Sequence, residues 1–189
     1  MNNETDTKKT VLYERHLSLG AKFVPFSGWE MPVNYSEGII SEHLHTRNNV
    51  SLFDICHMGE FRITGAGSEA TLDRVVARTV KNQKNGTCRY NFLLNENGKV
   101  IDDIIVYRIG EQEFFIVVNA GTKDGDAEWF RKNLSEVNFS DESDNTAKLD
   151  LQGPESRDVL IKLGLDASIL PEYYKFIITK IAGIDCILS

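Results

Sequence analysis

Val100-Ile101-Asp102-Asp103-Ile104-Ile105-Val106-Tyr107 is an extended apolar run with two adjacent acids in its middle. On a strand, successive side chains point to opposite faces. One face then carries Val100, Asp102, Ile104 and Val106, and the other Ile101, Asp103, Ile105 and Tyr107. Both faces are apolar, the pattern of a strand covered on both sides. Upstream, Cys88 to Leu94 is another apolar-rich run, joined by Asn95-Glu96-Asn97-Gly98, whose Asn-Gly suits positive φ. Downstream, a polar turn at Gly110 to Glu113 leads to Phe114 to Asn119. Three strands with short connections predict an antiparallel sheet.

Around this meander the pattern alternates between helices and short strands. Helices are predicted over Val11 to Leu19, stopped by Gly20, over Ser36 to Asn49 with Ser36 as N-cap, over Ala70 to Val80, and over Asp124 to Leu134. Ala21 to Tyr35 reads as a loop, because Pro25, Gly28 and Pro32 punctuate it. Its aromatics, Phe23, Phe26, Trp29 and Tyr35, imply packing onto a core or lining of a pocket. Ser51 to Ile55, Phe61 to Ile63 and Ala147 to Leu151 read as short strands. Glu136 to Thr146 reads as an exposed turn or domain junction. Gly153-Pro154 opens a further helix, with Pro154 near its first position, and Ile177 to Leu188 reads as a hairpin around Ala182-Gly183. The class is α+β, with helices packed on antiparallel sheet. The chain closes on an apolar strand with no polar tail, which reads either as an edge strand or, as expected here, as truncation.

A chain of 189 residues, 41% hydrophobic and 26% charged, can bury a real core in one domain or two small ones. Its net charge of -7 argues against general nucleic-acid binding, which needs an excess of Lys and Arg. Cys56, Cys88 and Cys186 are widely spaced and form no CxxC, so a reduced, cytoplasmic protein is expected. No apolar stretch reaches 18 residues, so no membrane span is expected. Met1 to Lys9 resembles neither a signal nor a transit peptide and is expected to be a disordered lead-in.

Asp102 and Asp103 are the foremost candidates for chemistry, since an ionised carboxylate among hydrophobes costs several kcal/mol unless partnered. Alternation lets a single pocket receive only one of them; the other can brace a neighbouring loop through backbone N–H groups. Cys56-His57 is no dyad by itself, because adjacent residues of an extended chain point apart, and no nearby ligand spacing suggests a metal. His57 reads as a hydrogen-bonded structural or pocket-edge residue. Met58 suits either core packing or a flat-ring pocket. Asn119, closing an apolar strand, offers a buried amide to a heteroaromatic edge or serves as a strand-end turn. Tyr90, Tyr173 and Tyr174 are candidates for stacking or core. P-loop, GxGxxG, HExxH and GxSxG motifs are absent.

Gly20 to Val33, Leu52-Phe53-Asp54-Ile55 with His57-Met58-Gly59-Glu60, Asn97-Gly98 before Ile101-Asp102-Asp103, Val117-Val118-Asn119-Ala120 and Leu151-Gln152-Gly153-Pro154 together resemble the glycine-cleavage T-proteins, the folate-dependent aminomethyltransferases. The match runs in the family's order from about Leu12 to the end. The resemblance implies a three-lobed fold around a folate site. Its first domain, 1–59 with 147–189, would be discontinuous and incomplete. Residues 60–146 would form a ferredoxin-like second domain, and a barrel-like third domain would lie beyond the chain. It implies transfer of the aminomethyl-derived one-carbon unit from the lipoyl arm of H-protein to tetrahydrofolate, with release of ammonia and no metal. The family's essential aspartate falls on Asp103, and Met58, Tyr90, Ile105, Asn119 and Tyr173 fall along the folate site. Cys56 stands where the family usually has Ser. The family's Arg-Thr-Gly-Tyr-Thr-Gly-Glu segment, with its pterin-holding glutamate, lies past the end, so this length alone is expected to be inactive. A non-catalytic folate-binding module of the same fold, or a related folate-dependent methyltransferase or demethylase, are the alternatives.

Overall fold

The computed structural model describes residues 7–134 and 136–189. Contacts group the chain into two compact units, Met1–His57 with Ala147–Lys162, and Met58–Thr146 with Leu163–Ser189. Leu163–Ser189 thus packs with the second unit, whereas the expectation placed it in the first domain. The reason is local: the Cys88 N–H donates to the Tyr174 carbonyl, the Phe176 N–H donates to the Gly86 carbonyl, and the Phe176 ring lies edge-on to Tyr107.

In the first unit, α1 (Tyr13–Ser18) precedes a hairpin of β1 (Lys22–Phe26) and β2 (Trp29–Asn34). This corrects the loop expected over Ala21 to Tyr35. Ser27 and Gly28 both take positive φ, 48° and 80°, the geometry of a two-residue turn matched to strand twist. Pro25 and Pro32 are tolerated because this ribbon has only two strands, so both are edges. The lead-in expected over Met1 to Lys9 lies, as far as Asp6, outside the described residues. At Lys8 the backbone is paired, its N–H donating to Gly28 and its carbonyl accepting from Glu30. α2 (Ile39–Asn48) starts after Gly38, whose φ is 82°, so Ser36 lies in the preceding turn and is not the cap. β3 (Ser51–Asp54) pairs antiparallel with β9 (Leu149–Gln152), and α5 (Ser156–Lys162) follows. Pro154 therefore precedes the helix it was expected to open. At the unit's centre, His16 Nε2 meets the Asp54 carboxylate at 3.0 Å and His16 Nδ1 meets the Tyr35 hydroxyl at 2.6 Å. Burial would raise the Asp54 pKa, but donors including the Cys56 N–H and His16 hold it below the ordinary value.

The second unit is built on a five-stranded antiparallel sheet in the order β5-β6-β7-β4-β8. The strands are β4 (Gly59–Thr64), β5 (Thr87–Leu94), β6 (Val100–Gly110), β7 (Glu113–Val118) and β8 (Asn138–Asp141). The expected meander is its β5-β6-β7 portion. β8 corrects the turn or junction expected over Glu136 to Thr146. It pairs with β4, and Arg62 binds it there by reaching Glu142 at 2.8 Å and Glu113 on β7 at 2.6 Å. α3 (Ser68–Asp73) is shorter than the expected Ala70 to Val80. Asp73 Oδ1 accepts the Val80 N–H and the Thr79 hydroxyl, while the Ala77 N–H donates to Phe92, so the chain leaves the helix to run against β5. α4 (Lys123–Asn133) follows β7, and β10 (Ile177–Ile181) with β11 (Ile184–Leu188) forms the expected closing hairpin.

The two sheet faces have different coverings. Ile104, Val106, Phe114, Ile116 and Val118 join Leu72 of α3 and Phe130 of α4 in one buried cluster. On the other face Tyr107, Phe115 and Val117 pack with Phe176, and with Met58, Cys88, Ile105 and Ile187 partly buried around them. Ile101 departs from simple alternation and packs with the first cluster. The register shifts between Leu93 and Leu94, so Leu93 faces Asp102 and Leu94 faces Val100, leaving Ile101 as the extra residue of a bulge.

Two glycines test this backbone. Gly153 has φ +125°, and a Cβ there would lie 2.2 Å from the Asn49 carbonyl oxygen. Gly153→Ala is expected to cost more than about 2 kcal/mol in chemical denaturation. Gly125, in exposed helix with nothing near its Cβ position, is expected to gain about 0.5–1 kcal/mol as Gly125→Ala.

Candidate functional site

The pleat of β6 separates the two acids as alternation requires. Asp102 is buried on the helix-covered face, and Asp103 is exposed on the other. The exposure of Asp103 corrects the expectation that both carboxylates sit among hydrophobes. The sheet face at this point is only partly covered, with Tyr90 and Phe92 open to solvent beside it.

Asn119, one residue past β7, joins the pair. Its backbone N–H donates to Asp102 Oδ2 at 3.1 Å and its Nδ2 to Asp102 Oδ1 at 2.9 Å. The same Nδ2 lies 3.1 Å from both the Asp103 carbonyl and Asp103 Oδ1. Asn119 also keeps its strand-end role, since its carbonyl accepts from the Thr122 hydroxyl and N–H at the start of α4. From the neighbouring strand, the Tyr90 hydroxyl donates to Asp103 Oδ2 at 3.1 Å. Asp103 is therefore held from two sides, with its outer side open to solvent. Burial alone would raise the Asp102 pKa, but the side-chain and backbone N–H groups of Asn119 hold it below the ordinary value. Desolvation, and then the hydrogen bond to Asp103, raise that of Tyr90, so Tyr90 stays a donor at neutral pH.

Of the residues expected at the site, Tyr90, Asp103 and Asn119 are brought into direct contact. Met58 and Ile105 lie together in the apolar cluster of the same face. Tyr173 is 90% exposed, and its ring packs edge-on against Tyr174 at 4.5 Å. Tyr174, with φ 57°, is the one electrostatically linked to Tyr90. Beside these tyrosines lies a concave region of about 430 Å³, lined also by Arg78, Lys84, Arg89 and Lys175. His57, expected to be hydrogen-bonded, has a buried Nδ1 without a partner among the described residues, and burial lowers its pKa. Its ring contacts Phe26 edge-on, so packing fixes it. Cys56 uses its sulfur as a hydroxyl would be used, donating to the Lys148 carbonyl and accepting its N–H, each at 3.3 Å.

Asp126 was not anticipated. It sits on α4 with no exposure, facing Asp102. Its signal in the sequence is the buried face Lys123, Asp126, Ala127 and Phe130, in which an acid occupies a core position of a helix. A second concave region, about 1160 Å³, belongs to the first unit and is lined by His16, Tyr35, Asp54 and residues of α2. Among the described residues no cluster of His, Cys, Asp and Glu could hold a metal, and no helix is long and apolar enough to cross a membrane.

A family model described as the GCVT N-terminal domain matches residues 12–189. The curated aminomethyltransferase of Chlorobium luteolum is 41% identical over 172 residues, covering 88% of this chain and 47% of that one. That of Chloroherpeton thalassium is 38% identical over 187 residues, covering 96% and 51%. The chain thus spans about half the length of the curated relatives it matches. Among solved structures, the glycine cleavage system aminomethyltransferase T from Bartonella henselae superposes with a TM-score of 0.84 at 35% identity, over 89% of this chain and 46% of that one. A heterotetrameric sarcosine oxidase from a Corynebacterium species, at 18% identity and a TM-score of 0.56 over 78% of this chain and 75% of that one, is alike in fold.

Loss of the Asn119 amide has a pH signature. Asp102, with a depressed folded pKa, stabilises the chain above its ordinary value of 3.8 and loses that contribution as pH falls through the folded value. Asn119→Ala should cost about 1–3 kcal/mol at neutral pH, because it strips donors from a buried carboxylate. Denaturant titrations should show that difference shrinking below about pH 4; a difference independent of pH would mean that the amide does not hold the charge.

Proposed function

The chain belongs to the GCVT N-terminal domain family, and from that premise we propose that the Asp103 face serves folate-dependent transfer of an aminomethyl-derived one-carbon unit. The observation that supports this most directly is the fixed carboxylate: Asp103 is exposed toward the open sheet face and held by Tyr90 and Asn119. Met58 and Ile105 offer an apolar floor for a flat ring on the same face. The Arg78, Lys84, Arg89 and Lys175 side supplies positive charge in a chain of net charge -7, which suits a ligand with an anionic tail. The donor in this reading is the aminomethyl-loaded lipoyl arm of H-protein. Tetrahydrofolate, when bound, would supply the nitrogen nucleophile that takes the carbon, the carbon–sulfur bond breaking to leave the reduced lipoyl thiol. When ammonia leaves, the carbon retained on sulfur becomes cationic. Asp103 then places negative charge beside it, and Tyr90 and Asn119 keep that carboxylate from reorganising during the step. Asp103 is also able to accept a proton released as the new carbon–nitrogen bond forms. A reduced, cytoplasmic setting belongs to the same proposal.

Steady-state kinetics on the whole protein with loaded H-protein provide the test. Asp103→Asn should lower kcat and kcat/KM together by on the order of 10²-fold or more, since its contribution is realised in the transition state. Tetrahydrofolate affinity, read by calorimetry, should change little. An unchanged kcat in Asp103→Asn would remove the residue from the chemistry.

A further inference from the structure

Beneath the proposed site lies a second pair of acids that the reaction does not use. Asp126 has no exposure, and no N–H donor among the described residues reaches either of its carboxyl oxygens. The groups they face are the Asp102 carboxyl from β6 and the Thr122 hydroxyl at the N-cap of α4. That hydroxyl is already directed to the Asn119 carbonyl at 3.2 Å. Asp102 is itself only 7% exposed.

Two ionised carboxyls in contact in a dry interior are opposed both by their mutual repulsion and by the loss of their hydration. One proton therefore lies between them, and the surrounding donors determine which acid retains it. Asp102 receives two N–H bonds from Asn119, which favour its ionised form. Asp126 receives none, so its neutral form is favoured.

We infer that Asp126 is a positioning residue: it holds a proton on the acid side of neutrality, donates a hydrogen bond to Asp102, and so fixes the Asp102–Asn119–Asp103 chain from below. The proton's location stands independently of the proposed activity, while its consequence for turnover rests on that reading. Burial first, and then the Asp102 charge, push the Asp126 pKa up to about 7. Among the described residues no ion pair offsets this. Lys123, also buried on α4, lays its stem over Gly59, and Asp103 lies on the opposite sheet face. With a folded value raised above its ordinary 3.8, Asp126 stabilises the chain fully below about pH 4, and that contribution is lost as pH rises through about 7.

Three measurements on this chain and two variants decide the inference. Infrared spectra at about pH 6 should contain the carbonyl band of a neutral carboxylic acid that disappears in both Asp126→Asn and Asp126→Leu. In NMR spectra the Asn119 side-chain amide protons should stay slow to exchange in Asp126→Asn, whose amide replaces the donor, and become fast in Asp126→Leu. The thermal midpoint of the native chain should fall between about pH 4 and pH 7 relative to Asp126→Asn, which has no proton to lose, and level off above that range. If Asp126→Leu does not fold, the infrared band and the Asn comparison still decide. Absence of the neutral-acid band, or an Asn119 amide indifferent to Asp126→Leu, would overturn the inference. Neither outcome depends on Asp103 kinetics, so a failure here is separable from a failure of the proposed activity.

Discussion

Two carboxylates on consecutive residues of one strand point to opposite faces of a sheet, and a single amide at the end of the neighbouring strand touches both. That amide is the constraint on which the acid-bearing face of the second unit depends. A buried carboxylate needs donors, and Asn119 supplies two to Asp102 through its backbone and side chain. The same side chain then has a fixed orientation from which to reach Asp103. The exposed acid is thus ordered by the buried one, and its geometry is set by the protein interior although its outer side faces solvent.

The elements around this joint follow from it. β6 and β7 must pair in the observed register for Asn119 to fall beside the two acids, and Ile105 opposite Val117 with Val106 opposite Ile116 gives that register. The bulge at Ile101 ends the regular alternation just before the acids begin. α4 starts at Lys123, a short turn after Asn119, and presents Asp126 to Asp102, while the Thr122 hydroxyl in that turn donates to the Asn119 carbonyl. In this arrangement an aminomethyltransferase function requires little of the sheet beyond a rigid carboxylate on an open, partly apolar face, which is what the proposal draws on.

Much of this was legible in the sequence because the acids interrupt a strong period-2 pattern. That pattern assigned Asp102 and Asp103 to opposite faces and left one to brace a loop, the role Asp102 takes through the Asn119 N–H. Other features were hidden for physical reasons. Pro25 and Pro32 read as loop punctuation, yet a two-stranded ribbon leaves their missing N–H groups at an edge. β8 has too few apolar residues to look like a strand, and an ion pair network through Arg62 holds it. The short α3 ends where the Asp73 side chain competes with the helix for backbone N–H groups. Asp126 was overlooked because its acid partner is distant in sequence, and the pairing exists only once α4 packs on β6.

On the proposed function, tetrahydrofolate lies on the sheet face bearing Tyr90, Asp103, Ile105 and Asn119. An NMR titration of the isotopically labelled chain with tetrahydrofolate tests it directly. Shift changes should concentrate at those four residues and Met58, leaving Ile104, Val106 and Phe130 on the helix-covered face unmoved. Changes concentrated instead around His16, Tyr35 and Asp54 in the first unit, or saturable binding that leaves the Asp103 face unaltered, would contradict the account.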